Sequence, residues 1–374
     1  MGPSIAESDH RVPVVVRPME IGVDSFASAI PDLETGRLLD PVQLMDHLVA
    51  DIELADRVGL DVFGIGEHHR AEFLDAAQTV ILAAAAARTK RIRLSSAVTV
   101  LSAADPVRVF EEFATLDLLS HGRAEIVAGR GSFVEAYPLF GLRLEDYDSL
   151  FSEKLDLLLK LRADTHVTWS GKHRAPLTGQ AVYPRPVQDP LPIWLGVGGT
   201  PASFVRAGAL GLPLMVAIIG GPPARFRPLI DLYREAGRRA GHSAEQLRVG
   251  IHAIGFLGET AGRAVDDFLP GLAHTMTEIG KERGWSPPTR EQFEAELDLK
   301  GAYLVGDAES VAKKILFVSE SLGGLARITF QMGVSYVPHE RMQRSIELLG
   351  TRVAPLVRQQ LTTEPPVGRR TKDS

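Results

Sequence analysis

The stretch Arg91–Gly129, RIRLSSAVTVLSAADPVRVFEEFATLDLLSHGRAEIVAG, decides the fold. Two short apolar runs, RIRLSSAVTV and RAEIVAG, have the length and β-branched content of strands. Between them lies a segment with helical apolar spacing. Asp105 and Pro106 open it as cap and first helical residue, and Gly122 closes it. This is one strand–helix–strand unit.

The same unit repeats outward. Toward the N-terminus, MEIGVDSFA is strand one, and helix one (DPVQLMDHLVADIELADRVGL) carries Leu44, Leu48, Ile52 and Ala55 at helical spacing. Asp40, Pro41 and Gly59 bound that helix, DVFGIG is strand two and AQTVILAAAAARTK helix two. Toward the C-terminus come helix four (EDYDSLFSEKLDLLLKLRA) and an irregular segment with short strands. LPIWLGVGG and TPASFVRAGALG form the fifth pair, and LPLMVAIIGG and PPARFRPLIDLYREAGRRAG the sixth. Strand seven is LRVGIHAIGFLG. Helix seven (AESVAKKILFVSESLGG) is capped by Asp307, ARITFQM is strand eight and HERMQRSIELLGTRVAPLV helix eight.

Eight such units predict an α/β fold, a (β/α)8 TIM barrel. A polar, helix-leaning insertion after strand seven, at about 259–300, interrupts the rhythm. The rival is a doubly wound open sheet, which usually has fewer strands and a glycine-rich first turn; no such turn follows strand one. Residues 1–17 are expected to be an N-terminal extension, 18–358 a single barrel domain, and 359–374 a polar, disordered tail.

Composition narrows the function. The chain has 374 residues, 45% of them hydrophobic, enough for a large core. A net charge of −6 with dispersed basic residues gives no footprint for nucleic acid. The absence of cysteine excludes disulfides, thiolate metal sites and cysteine nucleophiles. The longest apolar run, TVILAAAAA, is far short of the roughly 20 residues of a membrane span. The first residues lack the order of a signal peptide. The expectation is a soluble cytoplasmic protein.

In a barrel, chemistry sits at the C-terminal ends of the strands. Strand two ends in Glu67-His68-His69. Three readings stand side by side: a metal site, acid/base chemistry, or a solvated strand end. A metal needs ligands converging from other strands, and no His-x-His pair occurs, so none is expected. A histidine here is a natural proton acceptor or donor near neutral pH. Strand five ends in GVGGTPAS, where Gly199, Thr200 and Ser203 open a helix whose free amides suit a phosphate, or merely form a capped turn. Arg130, in AGRGS after strand four, either adds a cation to the same phosphate or pairs with a carboxylate such as Glu135. The small residues ending strand three leave room for a flat ring, or simply pack under helices.

Together GIGEHHRAEF, the quoted Arg91–Gly129 stretch with its following Arg-Gly-Ser, and LPIWLGVGGTPASFVRAGALGLP resemble the bacterial luciferase-like flavin monooxygenase family, over about 19–357. The resemblance implies a barrel with an insertion after strand seven and a flavin cofactor. That flavin is usually reduced FMN from a separate NAD(P)H-dependent flavin reductase. With O2 it gives a flavin hydroperoxide that oxygenates a small organic substrate. Homodimers are usual. By position, His68 falls on the residue tied to that chemistry, with Glu67 and His69 supporting it. A non-proline cis peptide under the ring falls at Ala97-Val98, and the phosphate contacts fall on Arg130, Gly199, Thr200 and Ser203. Barrel position adds Phe26, Phe133 and Met332 as substrate contacts and makes the insertion a lid. Two departures stand out. Gly129 replaces a reactive cysteine of the luciferases, and Phe133 replaces a tyrosine beside the phosphate. Light emission is not implied. Some relatives use a deazaflavin as hydride carrier without activating O2. That reading, a non-catalytic flavin-binding protein and, furthest out, a metal-dependent barrel hydrolase are the alternatives.

Overall fold

The computed structural model describes residues 18–284 and 286–363. The expected extension over 1–17 and the tail beyond 363 lie outside the described residues. Eight parallel strands are present: β1 Glu20–Ser25, β2 Val62–Ile65, β3 Arg93–Ser96, β4 Ala124–Gly129, β5 Ile193–Val197, β6 Leu214–Ile218, β7 Val249–Leu257 and β8 Arg327–Gln331. Each pairs with the next, and β8 pairs with β1 in the register Glu20 to Arg327, so the sheet closes into a (β/α)8 barrel without an edge.

The helices outside it are α1 Pro41–Arg57, α2 Gln78–Ala86, α3 Pro106–Ser120, α4 Tyr147–Ala163, α5 Pro201–Ala209, α6 Arg227–Arg239, α7 Ala308–Ser321 and α8 His339–Leu348. Two of the three expected aspartate caps bond as caps. Asp105 accepts from the Val107 and Arg108 amides, and Asp307 from the Ser310 amide at 2.8 Å. Asp40 has cap geometry, but its carboxylate makes no capping bond. Helix two is shorter than its sequence pattern. It stops at Ala86 because the buried Arg123 guanidinium donates to the carbonyls of Ala86, Thr89 and Ile92. α8 continues through a wide turn, Leu349–Val353, into Ala354–Thr363, so the helix runs past Gln359, where the tail was expected to begin.

At the C-terminal face the expected cis peptide and the expected insertion after β7 are both present, with two differences of detail. The third strand is broken: after β3 the chain passes a cis Ala97-Val98 peptide, and Thr99–Val100 pairs with β4 as a separate piece. After β7 come two insertion helices, Ala261–Arg283 and Arg290–Leu297, then an unanticipated three-residue strand, Leu304–Gly306, on the end of β7. No helix among the described residues is long and apolar enough to cross a membrane.

Inward-facing side chains close the N-terminal end of the barrel. Glu125 and Arg327, both 1% exposed, form an ion pair. Arg93 joins Glu125 at 2.8 Å, and Glu20 joins Arg327 at 2.6 Å and Arg248 at 2.9 Å. The Arg327 guanidinium lies 4.2 Å over the Trp194 ring. Above this plug, glycines let neighbouring side chains pack closely against the strands. A Cβ on Gly64 would sit 2.2 Å from Asp24, and one on Gly129 would sit 2.5 Å from the Val98 side chain.

Candidate active site

Above the plug, a cavity of about 590 Å³ opens at the C-terminal strand ends, within the range of small-molecule sites. Period-two alternation makes its wall. Asp24, Ser95, Val127, Gly196, His252, Thr329 and Gln331, from β1, β3, β4, β5, β7 and β8, and Phe26 just past β1, share the inward parity.

His68 borders the cavity. Its Nδ1 lies 2.8 Å from Asp75 Oδ2, and its backbone amide donates to Asp75 Oδ1 at 3.0 Å. Asp75 is fully buried. Burial raises its pKa, and the bond to His68 offsets part of the rise. Three phenylalanines enclose the imidazole, with ring centroids at 4.6 Å (Phe26), 4.3 Å (Phe73) and 5.4 Å (Phe133). The Asp75 contact assigns the proton to Nδ1 and leaves the Nε2 lone pair for another partner.

Glu67 and His69 do other work. Glu67 accepts the Val100 amide at 2.8 Å and a Gln78 amide proton at 3.2 Å, which pins the segment that follows the cis peptide. His69 sits 3.2 Å from Glu67 and edge-on to Phe140. The group that orients His68 is Asp75, which the sequence reading missed.

Ala97 and Val98 form one wall, where Val98 packs into the space left by Gly129 and Gly196. Beside it, Arg130, Gly199 and Thr200 border the mouth. Arg130 does not pair with Glu135. It donates to Asp148 at 2.5 Å and to Ser203 Oγ at 3.3 Å, and lies 4.8 Å over the Tyr147 ring. Glu135 is taken by Arg70 at 2.9 Å. Ser203 is buried behind Arg130 and meets the site through it. Tyr147 was not foreseen. Burial raises its pKa, opposed by Arg130.

Of the three residues read as substrate contacts, Phe26 and Phe133 border the cavity and Met332 does not. On β8 the inward residue is Gln331. Met332 has the opposite parity, is 1% exposed and sets its sulfur 3.9 Å from Ser345 in α8. Both polar side-chain atoms of Gln331 are buried without a hydrogen-bond partner. Below it, His252 Nδ1 lies 2.6 Å from Asp24 Oδ2, which also accepts from the Thr329 hydroxyl.

The insertion covers one side. Met276, Ile279 and Glu282 of its first helix border the cavity. Arg70, after β2, pairs with Glu282 at 2.6 Å and Glu72 at 2.8 Å, and those bonds raise its pKa. Phe133 lies between Arg70 at 4.7 Å and Arg283 at 5.2 Å.

The strand ends thus gather the His68–Asp75 pair, the Ala97-Val98 wall and the start of α5 around one cavity. The sequence profile of the luciferase-like monooxygenase family matches residues 19–324. The chain is 28% identical over 327 residues to 4-hydroxyprotoasukamycin monooxygenase of Streptomyces nodosus subsp. asukaensis, covering 82% of this chain and 85% of that protein. Among solved structures it is similar to the oxygenating constituent of 3,6-diketocamphane monooxygenase from Pseudomonas putida in complex with FMN (TM-score 0.73, 20% identity, 91% of this chain and 99% of that one). It is also similar to an F420-dependent secondary alcohol dehydrogenase in complex with an F420-acetone adduct (TM-score 0.68, 20% identity, 91% and 100%). The protein belongs to the luciferase-like monooxygenase family and is an oxidoreductase.

Proposed function

We propose that this protein is a monooxygenase that uses reduced FMN and O2 to oxygenate a small organic substrate. The observation that carries the reading is the polarity of the cavity. Gln331 offers a buried, unpartnered amide donor and acceptor on β8, and Arg130 offers a cation after β4, halfway round the barrel. A flavin mononucleotide has the matching parts: a heterocyclic edge with N–H and C=O groups, and a phosphate. The residues present therefore fit that cofactor. Arg130, Thr200 and the Gly199 amide would hold the phosphate, with Ser203 bracing Arg130. Ala97 and Val98 would support the ring, and Gln331 would bond its edge. When bound, reduced FMN supplies the electrons that activate O2. His68 holds or accepts a proton at Nε2, Asp75 fixes its tautomer, and the three phenylalanines exclude water. In this reading the chain works as a homodimer served by a separate NAD(P)H-dependent flavin reductase.

The test is to titrate the purified protein with FMN, reduced FMN and a deazaflavin, then admit O2 and follow the flavin absorbance. Tight reduced-FMN binding, with reoxidation unlike that of free flavin, is expected. Preference for the deazaflavin and turnover without O2 would assign hydride transfer instead, and failure to bind FMN would remove the reading. Arg130→Ala should weaken FMN binding by about 1.5–3 kcal/mol, roughly 10- to 150-fold, as one charge-assisted contact is lost.

The insertion acts as the lid in this reading. Its catch is Arg70, which ties the first insertion helix to the loops after β2 and β4. Arg70→Ala should raise protease nicking within 259–300 severalfold while the barrel's melting temperature changes little, since such rim ion pairs are screened. Unchanged nicking would show that the catch holds nothing.

A further inference from the structure

The cavity holds a second histidine–carboxylate pair that the reading above does not use. His252, on β7, is 9% exposed and borders the cavity. Its Nδ1 is held by Asp24 of β1 at 2.6 Å, and Asp24 is held in turn by the Thr329 hydroxyl. His252 Nε2 has no hydrogen-bond partner among the described residues. Phe26 separates the two pairs: its ring is 4.6 Å from that of His68 and 5.9 Å from that of His252, nearly parallel to the latter at 17°.

We propose that His252 is a second base of this cavity and that the substrate carries an ionisable hydroxyl, a phenol or an enol. The proposal rests on the monooxygenase reading. His252 Nε2 takes the hydroxyl proton, and the electron pair stays on the substrate oxygen. Asp24 positions the ring and stabilises the imidazolium. The resulting phenolate or enolate carbon is electron-rich and accepts one oxygen atom of O2. The C–O bond forms as the O–O bond breaks. A phenolate then passes its displaced C–H proton to the new oxygen and takes back the proton held by His252, whereas an enolate becomes a ketone and that proton goes to the new oxygen. The other oxygen atom leaves as water with the two electrons and two protons of the reduced flavin. A single neutral base would serve proton traffic at the oxygen-activating site. Two separately buttressed imidazoles on one cavity divide the work, His68 on the oxygen side and His252 on the substrate side. The cations on adjoining strands cannot take over the second role, since Arg327 is engaged by Glu125 and Glu20, and Arg248 by Glu20.

The experiment uses the full chain without flavin and 4-nitrophenol as the probe, because phenol and phenolate differ in absorbance. The probe is titrated in below its own pKa. Binding as the yellow phenolate is expected in the wild type and in His68→Gln. At least a tenfold loss of the phenolate signal is expected in His252→Gln. Asp24→Asn keeps the size of the side chain but removes the counter-charge, and should also lose most of the signal. Circular dichroism of each variant reports whether it is folded. A wild type that fails to bind the probe or binds it as the neutral phenol, or a signal that survives in folded His252→Gln and disappears in His68→Gln, would overturn the proposal. A separate FMN titration of the same proteins reports on the monooxygenase reading, so the two can fail independently.

Discussion

Glu125→Ala is expected to destabilise the protein by about 3–5 kcal/mol, the largest effect of a single substitution outside the cavity. Glu125 is 1% exposed and answers two guanidinium groups, those of Arg327 and Arg93. Removing it strands Arg327, itself 1% exposed, as a buried cation with only Glu20 beside it. The loss comes from that uncompensated charge and not from the worth of the pair. The double variant Glu125→Leu with Arg327→Met should therefore recover much of it, and urea unfolding of both proteins checks the contrast. The pH dependence follows with a definite sign. Burial alone would raise the Glu125 pKa, but Arg327 and Arg93 outweigh burial and hold it down at about 2. A folded-state pKa below the unfolded one contributes stability that is present above the ordinary glutamate range and lost as the pH falls from there toward 2. Glu125→Ala should flatten the stability profile in that window. A variant that unfolds at the same urea concentration as the wild type at neutral pH would show that the plug does not hold the barrel floor.

The barrel was legible because its units are local. Caps, apolar periodicity and closing glycines mark each strand and helix within about twenty residues, and eight such units have few ways to close. The site was legible only where its groups sit within one strand end, as in Glu67-His68-His69. Asp75 is seven residues beyond His68 in an aperiodic loop, and nothing in that loop's pattern says that it folds back. His252 and Asp24 are 228 residues apart and meet only because the barrel closes. The pattern of a buried strand also does not say which face turns inward: on β8 Arg327, Thr329 and Gln331 alternate with Ile328, Phe330 and Met332, and it is the polar set that faces the barrel interior. That is why Met332 was chosen over its neighbour Gln331, and why His252, a lone polar residue inside VGIHAIG, went unused. Arg130 had several carboxylates in reach, and Glu135, the next one along the chain, went to Arg70 because the loop after β2 packs over it.

His68→Ala is expected to lower substrate oxygenation by roughly 10²–10⁴-fold, the usual worth of a positioned acid or base, while leaving flavin affinity within a few-fold of the wild type. The asymmetry follows from the architecture. The groups proposed to hold the flavin are Arg130, Thr200, the Ala97-Val98 wall and Gln331, and none of them is hydrogen-bonded to His68. His68 is instead enclosed by Phe26, Phe73 and Phe133, so its role is at the reacting centre and not in anchoring. Alanine would also open that enclosure to water, and His68→Gln separates the two effects by keeping most of the volume without the imidazole. Asp75→Asn is the sharper probe. Asparagine can keep the bond from the His68 backbone amide, so the loop stays in place. Its NH₂ group, however, donates to Nδ1 where the carboxylate accepted, which moves the ring proton to Nε2 and converts the cavity-facing nitrogen from acceptor to donor. If Nε2 works as an acceptor, as the Asp75 contact dictates, Asp75→Asn should lose at least tenfold in single-turnover oxygenation with flavin binding unchanged. Undiminished turnover in that variant would mean that the nitrogen facing the cavity has only to donate, and would reverse the direction of proton movement assigned to His68.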